Sequence, residues 1–289
     1  MAEQRVAVVT GASSGIGKES AKALVRMGWH VIGTGRNPVR SAAAEVEIRA
    51  VIAQGGKLDF LRGDMALMSE TMRLAGEIKA LTPRIDVLIN NAGGVRDQRY
   101  VTAEGTEETF TANHLAPFLL TRELLPLLRV TAAKGKPGAV RVLASSSRAY
   151  MNAGRMNWDD IQHLSGIFPA SSVYCEVKLA NVLFSHELAK RVAADGIAVQ
   201  SLIPGVVHTN FASHGDDDMQ SYMKVAEGQT PEEVAETLVW MATDPATGLP
   251  GGRHFYEMTE LEIQPHAADD AAAARLWAES EKILAGLGY

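Results

Sequence analysis

Tyr174 and Lys178, in the stretch Ser172-Val-Tyr-Cys-Glu-Val-Lys178, are four residues apart. On an α-helix that spacing puts a phenol and an ammonium on one face, about one turn apart. A phenol is a poor acid at neutral pH, with an ordinary pKa of about 10. A cation ~4 Å away in an effective dielectric of ~20 is worth at most ~4 kcal/mol, or ~3 pKa units before screening. That is enough to let tyrosine give and take protons near pH 7. Such pairs also arise by chance on solvated helix faces, so the pair alone decides nothing. It gains meaning from the upstream run Thr10-Gly-Ala-Ser-Ser-Gly-Ile-Gly17. There Gly11, Gly15 and Gly17 follow the apolar run Arg5–Thr10 and precede a helical pattern. Glycines so placed permit a tight turn, close approach of backbone to a pyrophosphate, and close packing of helix on strand. The helix N-terminus adds free N–H groups and the positive end of a dipole. Together the two features point to redox chemistry on a dinucleotide.

Other positions refine that reading. An acidic residue at the end of the second strand would hold the adenosine ribose of NAD, but Gly33-Thr-Gly-Arg-Asn37 has none. Instead Arg36 falls 19 residues after Gly17, and a guanidinium suits a bidentate grip on a 2′-phosphate. The expected cofactor is therefore NADP(H), against the plain alternative of a solvated loop arginine. Asp64 ends the third strand and Asn90-Asn-Ala-Gly93 the fourth, at carboxyl ends where a doubly wound sheet binds its ligand. Ordinary turn chemistry is the competing explanation for both. Ser145-Ser-Ser147 follows the fifth strand, and a hydroxyl there could donate to a substrate carbonyl. Asn113 interrupts a helical stretch in which asparagine is mildly unfavourable.

These residues require elements to position them. Strand-like runs occur at Val6–Val9, Val31–Thr34, Leu58–Leu61, Asp86–Ile89, Ala139–Ala144, Ala198–Ile203 and His254–Tyr256. Between them lie helical patterns at Lys18–Met27, Val39–Gln54, Ser69–Ala80, Thr106–Arg129, Val173–Ala193 and Pro231–Ala242, followed by an alanine-rich helical tail at Asp269–Leu287. Alternation of nearly continuous apolar strands with helices predicts an α/β protein, a parallel sheet covered on both faces. No linker or composition shift divides the 289 residues, so a single domain is expected. Tyr150–Ser171 and Asn210–Gln229 are long irregular segments of the kind that form binding loops.

The residues quoted so far, in their order along the chain, resemble the short-chain dehydrogenase/reductase family. Pro204-Gly-Val-Val-His-Thr209 extends the match. Phe110-Thr-Ala-Asn-His-Leu115, Tyr174 to Phe184 and Leu276-Trp-Ala-Glu-Ser280 are similar to the retinol-dehydrogenase and WW-domain-oxidoreductase branch. The resemblance implies a doubly wound Rossmann fold with a seven-stranded parallel sheet. It also implies Tyr174 as general acid/base, and Lys178 as the residue that holds the nicotinamide ribose and lowers the tyrosine pKa. Ser147 would orient the substrate carbonyl, with Ser146 a contender, and Asn113 would keep a water in a proton relay. Ala144-Ser145 stands where relatives usually carry Asn-Val, which blurs the serine assignment. For the cofactor the resemblance implies Gly11, Ser13, Ser14, Gly15, Ile16 and Gly17 at the phosphates, Arg36 at the 2′-phosphate, and Asp64 with Met65 at the adenine. Asn90, Ala92 and Gly93 would form the cofactor-facing turn. Pro204, Gly205, Val207 and Thr209 would stand near the carboxamide, with Tyr174 and Lys178 at the ribose.

The expected activity is NADP(H)-dependent interconversion of an alcohol with a ketone or aldehyde, with a lipophilic or aromatic small molecule as substrate. Reduction of an activated carbon–carbon double bond is one alternative, and a non-catalytic NADP sensor is another. The net charge of −6 argues against nonspecific binding to nucleic acid or anionic membrane. The longest apolar runs are strand-sized, so no membrane span is expected. With one cysteine, Cys175, no internal disulfide is possible, and the cytoplasm is the expected address. Eight histidines lack metal-ligand spacing, so no metal is expected. Asp216-Asp-Asp218 reads as a solvated loop. Homodimers or homotetramers formed through the Tyr174 helix are common in the family, although the tail could cap that surface. Met151, Met156, Trp158 and Phe168 could line an apolar substrate pocket or pack locally.

Overall fold

Four consecutive small or β-branched apolar residues, Val6–Val9, offer no polar face, so they suit a strand covered on both sides. They form β1 with all four residues buried. The structure is a computed structural model that describes residues 3–289, without the side chains of Asn210 and Ala212. The remaining strands are β2 (His30–Gly35), β3 (Lys57–Arg62), β4 (Val87–Asn90), β5 (Arg141–Ser145), β6 (Ala198–Leu202), β7 (Arg253–Tyr256) and β8 (Thr259–Leu261). They make one sheet in the order β3-β2-β1-β4-β5-β6-β7-β8. The seven expected strands run parallel; β8 is an addition, antiparallel to β7. Its turn sets Glu257 and Met258 at φ 46° and 56°. Two adjacent positive φ values make a tight hairpin, and Glu-Met carries none of the Asn/Gly signal that usually marks one.

Helices α1 (Gly15–Arg26), α2 (Pro38–Arg49) and α3 (Met68–Leu81) follow the first three strands. After β4 the expected single helix is interrupted. A short α4 (Glu108–Phe110) passes through a π-helical turn, Thr111–Leu115, into α5 (Ala116–Ala132). Pro117 has no N–H to offer the Asn113 carbonyl four residues back, which removes one rung of the α ladder where the bulge lies. Helices α6 (Ala170–Arg191), α7 (Asp217–Val225), α8 (Pro231–Thr243) and α9 (Asp270–Gly286) complete the chain. One core layer packs α3, α5, α6 and α9 on the sheet, and the other packs α1, α2 and α8. Among the described residues no helix is long and apolar enough to cross a membrane.

The sheet order reverses between β1 and β4, so their following loops diverge and leave a crevice at the carboxyl ends. Helix α6 borders it, carrying Tyr174 and Lys178 on its first turns. Helix α9 lies across α6. Trp277 packs its ring 4.7 Å from Phe118 and 6.1 Å from Phe184, beneath the Arg191 guanidinium at 4.2 Å. Asp270 at the start of α9 pairs with His186 and Lys190 of α6. The segment after Thr209 leaves and rejoins the body at a neck, where Gln229 N–H donates to Val206 O (2.8 Å) and His208 N–H to Gln229 O (3.0 Å). Asp216 caps α7 by accepting from Met219 N–H at 2.9 Å.

If α9 holds α6 in place, Trp277→Ala should lower unfolding free energy by about 2–3 kcal/mol. Urea denaturation would read this, and a loss below ~0.5 kcal/mol would mean that α9 contributes little.

Candidate active site in the crevice

The glycine turn is shaped by what surrounds it. Gly11 has φ 72°, and a Cβ there would come within 3.0 Å of Ala92 Cα and Asn91 Nδ2. At Gly17 a Cβ would lie 2.5 Å from Gly11 O, so this glycine serves close packing and does not itself line the crevice. Thr10 Oγ1 accepts from Asn91 N–H (3.0 Å) and Ala92 N–H (2.9 Å), which pins the loop after β4 to the end of β1. Ser14 caps α1 without a side-chain hydrogen bond, so the first-turn N–H groups have no side-chain partner.

Lys178 is buried, 6% exposed, with Nζ 3.4 Å from Ser145 O. Burial lowers its pKa to about 8. Nζ lies 5.5 Å from the Tyr174 ring centroid. The expectation that this cation would make the phenol more acidic is not met. Burial raises the Tyr174 pKa, and the hydrogen bond with Ser147 only partly offsets this. Desolvation of the phenolate is the largest effect and outweighs the nearby ammonium. The three serines separate by their partners. Ser145 Oγ is 3.4 Å from Asn91 Oδ1, and Ser146 Oγ donates to Lys178 O at 2.7 Å, leaving Ser147 as the hydroxyl that reaches Tyr174.

Asn113 sits in the π-turn with its side chain committed. Nδ2 donates to Gly94 O and Thr109 O, each at 2.8 Å, and Oδ1 accepts from Gly94 N–H at 3.3 Å. A Cβ on Gly93 would collide with Asn113 Oδ1 and lie 3.6 Å from Lys178 Nζ, so these three groups converge where only glycine fits.

A cavity of about 780 Å³ joins these groups. Tyr174, Lys178, Asn113 and all three serines line it, as do Gly11, Ser13, Ser14, Gly15, Ile16, Arg36, Asp64, Met65, Ala92, Gly93, Pro204, Gly205, Val207 and Thr209. Asn90 does not. It is buried, donating from Nδ2 to Thr121 Oγ1 at 2.9 Å, and its neighbour Asn91 faces the crevice instead. Adjacent residues leaving a strand point to opposite faces, so only one of the two asparagines can do so.

Sequence reasoning missed several lining residues. Phe211, Met219, Tyr222 and Met223 form the apolar wall beside Tyr174, with the Phe211 ring 5.1 Å from the Tyr174 ring. The spacing of Met219, Tyr222 and Met223 on α7 was a readable helix-face signal. By contrast Met151, Met156, Trp158 and Phe168 stay outside the cavity. Met156 is buried in a satellite core, Trp158 lies under Arg275 at 4.6 Å, Phe168 under Arg99 at 5.7 Å, and Met151 is exposed. At the end near β2, Arg36 Nη1 is 3.0 Å from Glu108 Oε1 and 3.5 Å from Asp64 Oδ2. Arg40 and Arg96 also line this end, and Arg96 pairs with Glu108. Burial, together with the charges of Arg96, Arg36 and Arg40, lowers the pKa of His214.

Comparison with known proteins agrees with this geometry. The short chain dehydrogenase family model matches residues 5–158. Human retinol dehydrogenase 14 is 33% identical over 98% of this chain and 87% of its own length. Human polyprenol dehydrogenase is 33% identical over 96% of this chain and 84% of its own. Among solved structures, an uncharacterized protein of Mycobacterium paratuberculosis superposes with a TM-score of 0.75 at 30% identity, covering 97% of this chain and 93% of that one. The Pseudomonas aeruginosa RhlG/NADP active-site complex superposes with a TM-score of 0.68 at 25% identity, over 86% and 93% of the two chains. With sheet order, motif order and full-length relatives in agreement, the chain belongs to the short-chain dehydrogenase/reductase family, in its retinol-dehydrogenase-like branch.

Proposed function

We propose that the crevice binds NADP(H) and that the chain reduces a lipophilic or aromatic ketone or aldehyde, or oxidises the matching alcohol. The observation that carries this is the convergence of Ser147, Tyr174 and Lys178 with Asn113 and Gly93 in one cavity at the sheet's switch point. A dinucleotide suits the groups present. The first turn of α1 lacks a side-chain cap, the glycine turn brings backbone to the surface, and Arg36 places a guanidinium at the far end, where a 2′-phosphate would lie. Relatives named for retinol and polyprenol, and the apolar wall of Phe211, Met219, Tyr222 and Met223, support a lipophilic substrate.

When bound, the nicotinamide supplies or receives the hydride. The protein's own part is orientation and proton transfer. In reduction Ser147 donates a hydrogen bond to the substrate oxygen and Tyr174 gives it a proton, much as an oxyanion hole would act. Tyr174 is protonated at neutral pH, the form a proton donor needs, and its raised pKa makes it a weak acid until the substrate oxygen gathers negative charge. Lys178, charged below about pH 8, would hold the nicotinamide ribose and balance the phenolate's charge once the phenol has lost its proton. With its side chain occupied, Asn113 would keep the water of a proton relay through its carbonyl, which Pro117 cannot satisfy.

Tyr174→Phe should cut turnover by at least ~10²-fold with nucleotide affinity nearly unchanged. Near-normal turnover with a panel of carbonyl substrates would remove the acid/base role. Lys178 allows a stability test with a definite sign. Its pKa falls from 10.5 unfolded to about 8 folded, so the unfolded chain binds more protons between those values and stability rises with pH across that window. Below pH 8 the charged, buried amine weakens the fold by up to roughly 3 kcal/mol. Lys178→Met should therefore raise the melting temperature at pH 7 while abolishing activity, with the gain shrinking towards pH 10.5. A melting temperature at pH 7 that falls in the variant would contradict the desolvated amine.

A further inference from the structure

Arg36 does not face the crevice as a free cation. Its Nη1 is 3.0 Å from Glu108 Oε1 and 3.5 Å from Asp64 Oδ2, and the same Glu108 oxygen accepts from Arg96 Nη2. The Glu108 side chain is 17% exposed against 44% for Arg36, so the carboxylate is the more firmly held partner. Burial pushes the Glu108 pKa up, but hydrogen bonds from Arg96 and Arg36 outweigh this and keep it low, so Glu108 is anionic at neutral pH. Two guanidiniums and two carboxylates thus form a quartet with no net charge. Arg40, one turn further along on α2, lines the same cavity and is exposed, with no carboxylate partner among the described residues. It is the cation left unbalanced.

We propose that Glu108 sets how strongly this protein discriminates between dinucleotides with and without a 2′-phosphate. The inference rests on the dinucleotide reading above and goes further, because that reading gave the role to Arg36 alone. A phosphomonoester carries up to two negative charges at neutral pH. Entering beside Arg36, it meets a guanidinium whose Nη1 is already taken and whose charge is cancelled by carboxylates at 3.0 and 3.5 Å. Arg40 then carries most of the attraction, and Glu108 opposes it. Discrimination built from one attractive and one repulsive group can be tuned by either.

Glu108→Gln removes the charge and keeps an acceptor for Arg36 and Arg96, so both guanidiniums stay tethered. Dissociation constants for NADPH and NADH, read by nicotinamide fluorescence, should be compared for wild type, Glu108→Gln, Arg36→Ala, Arg40→Ala and the double variant Glu108→Gln/Arg36→Ala. In Glu108→Gln the preference for NADPH over NADH should rise by about tenfold, the size of one modest charge–charge interaction. Most of that gain should vanish in the double variant. Arg40→Ala, a change at an exposed position that leaves the core untouched, should lower the preference more than Arg36→Ala does. An unchanged or reduced preference in Glu108→Gln overturns the proposal, and so does a larger loss from Arg36→Ala than from Arg40→Ala. Wild-type protein that binds neither NADPH nor NADH overturns the dinucleotide reading itself, a result distinct from either of these.

Discussion

Lys178 imposes the constraint on which the site depends. A primary amine on a residue only 6% exposed, with Ser145 O at 3.4 Å, is poorly solvated, and the protein must hold it rigidly for it to be useful. The restraints come from every side. Ser146 accepts the task of tying the Lys178 backbone to the end of β5, and Asn181 Nδ2 donates to Ser145 O at 3.1 Å one turn further on. Gly93 leaves room that no side chain could share with Asn113 Oδ1 and Nζ. Helix α9 presses Trp277 against the aromatic residues behind α6. Stability is given up locally so that one ammonium stands close to one phenol, which is a common arrangement at functional sites.

Burial has opposite consequences for the two partners. It lowers the lysine to about 8 and raises the tyrosine, so each is shifted towards its neutral form. A simple pairwise estimate, with one cation acting on one phenol, predicts the reverse for tyrosine because it leaves out the water that folding removes. A protonated phenol beside a charged but poorly solvated amine suits a proton donor that waits for substrate. The far end of the crevice follows different rules. Its charges are exposed or half-buried, come in both signs, and largely cancel around Arg36. Chemistry at one end is governed by desolvation, and recognition at the other by the balance of fixed charges.

The architecture was largely readable from hydrophobic periodicity. Val6–Val9 is apolar enough to be a strand only in a covered sheet, and it is buried throughout, as is Ala198–Leu202 despite its Gln200 and Ser201. The eighth strand was hidden because its turn, Glu257-Met258, has the wrong residue types for its backbone. The break in the helix at Asn113 was half visible: asparagine and the nearby Pro117 are both awkward there, but a π-turn has no sequence rule of its own. Local loop chemistry was harder to foresee. Trp158 and Phe168 pair with arginines from distant segments, and no spacing along the chain announces such partners.

By itself, then, the order of residue types determined the layers, the glycine turn and the four-residue step that puts Tyr174 and Lys178 on one helix face, because these depend on periodicity and short-range geometry. Tertiary structure alone decided which of Ser145, Ser146 and Ser147 reaches the phenol, which of Asn90 and Asn91 faces the crevice, and whether Arg36 stands free. Those outcomes turn on competition for partners brought in from elsewhere in the chain. Glu108 is 72 residues from Arg36 in sequence and 3.0 Å from it in space.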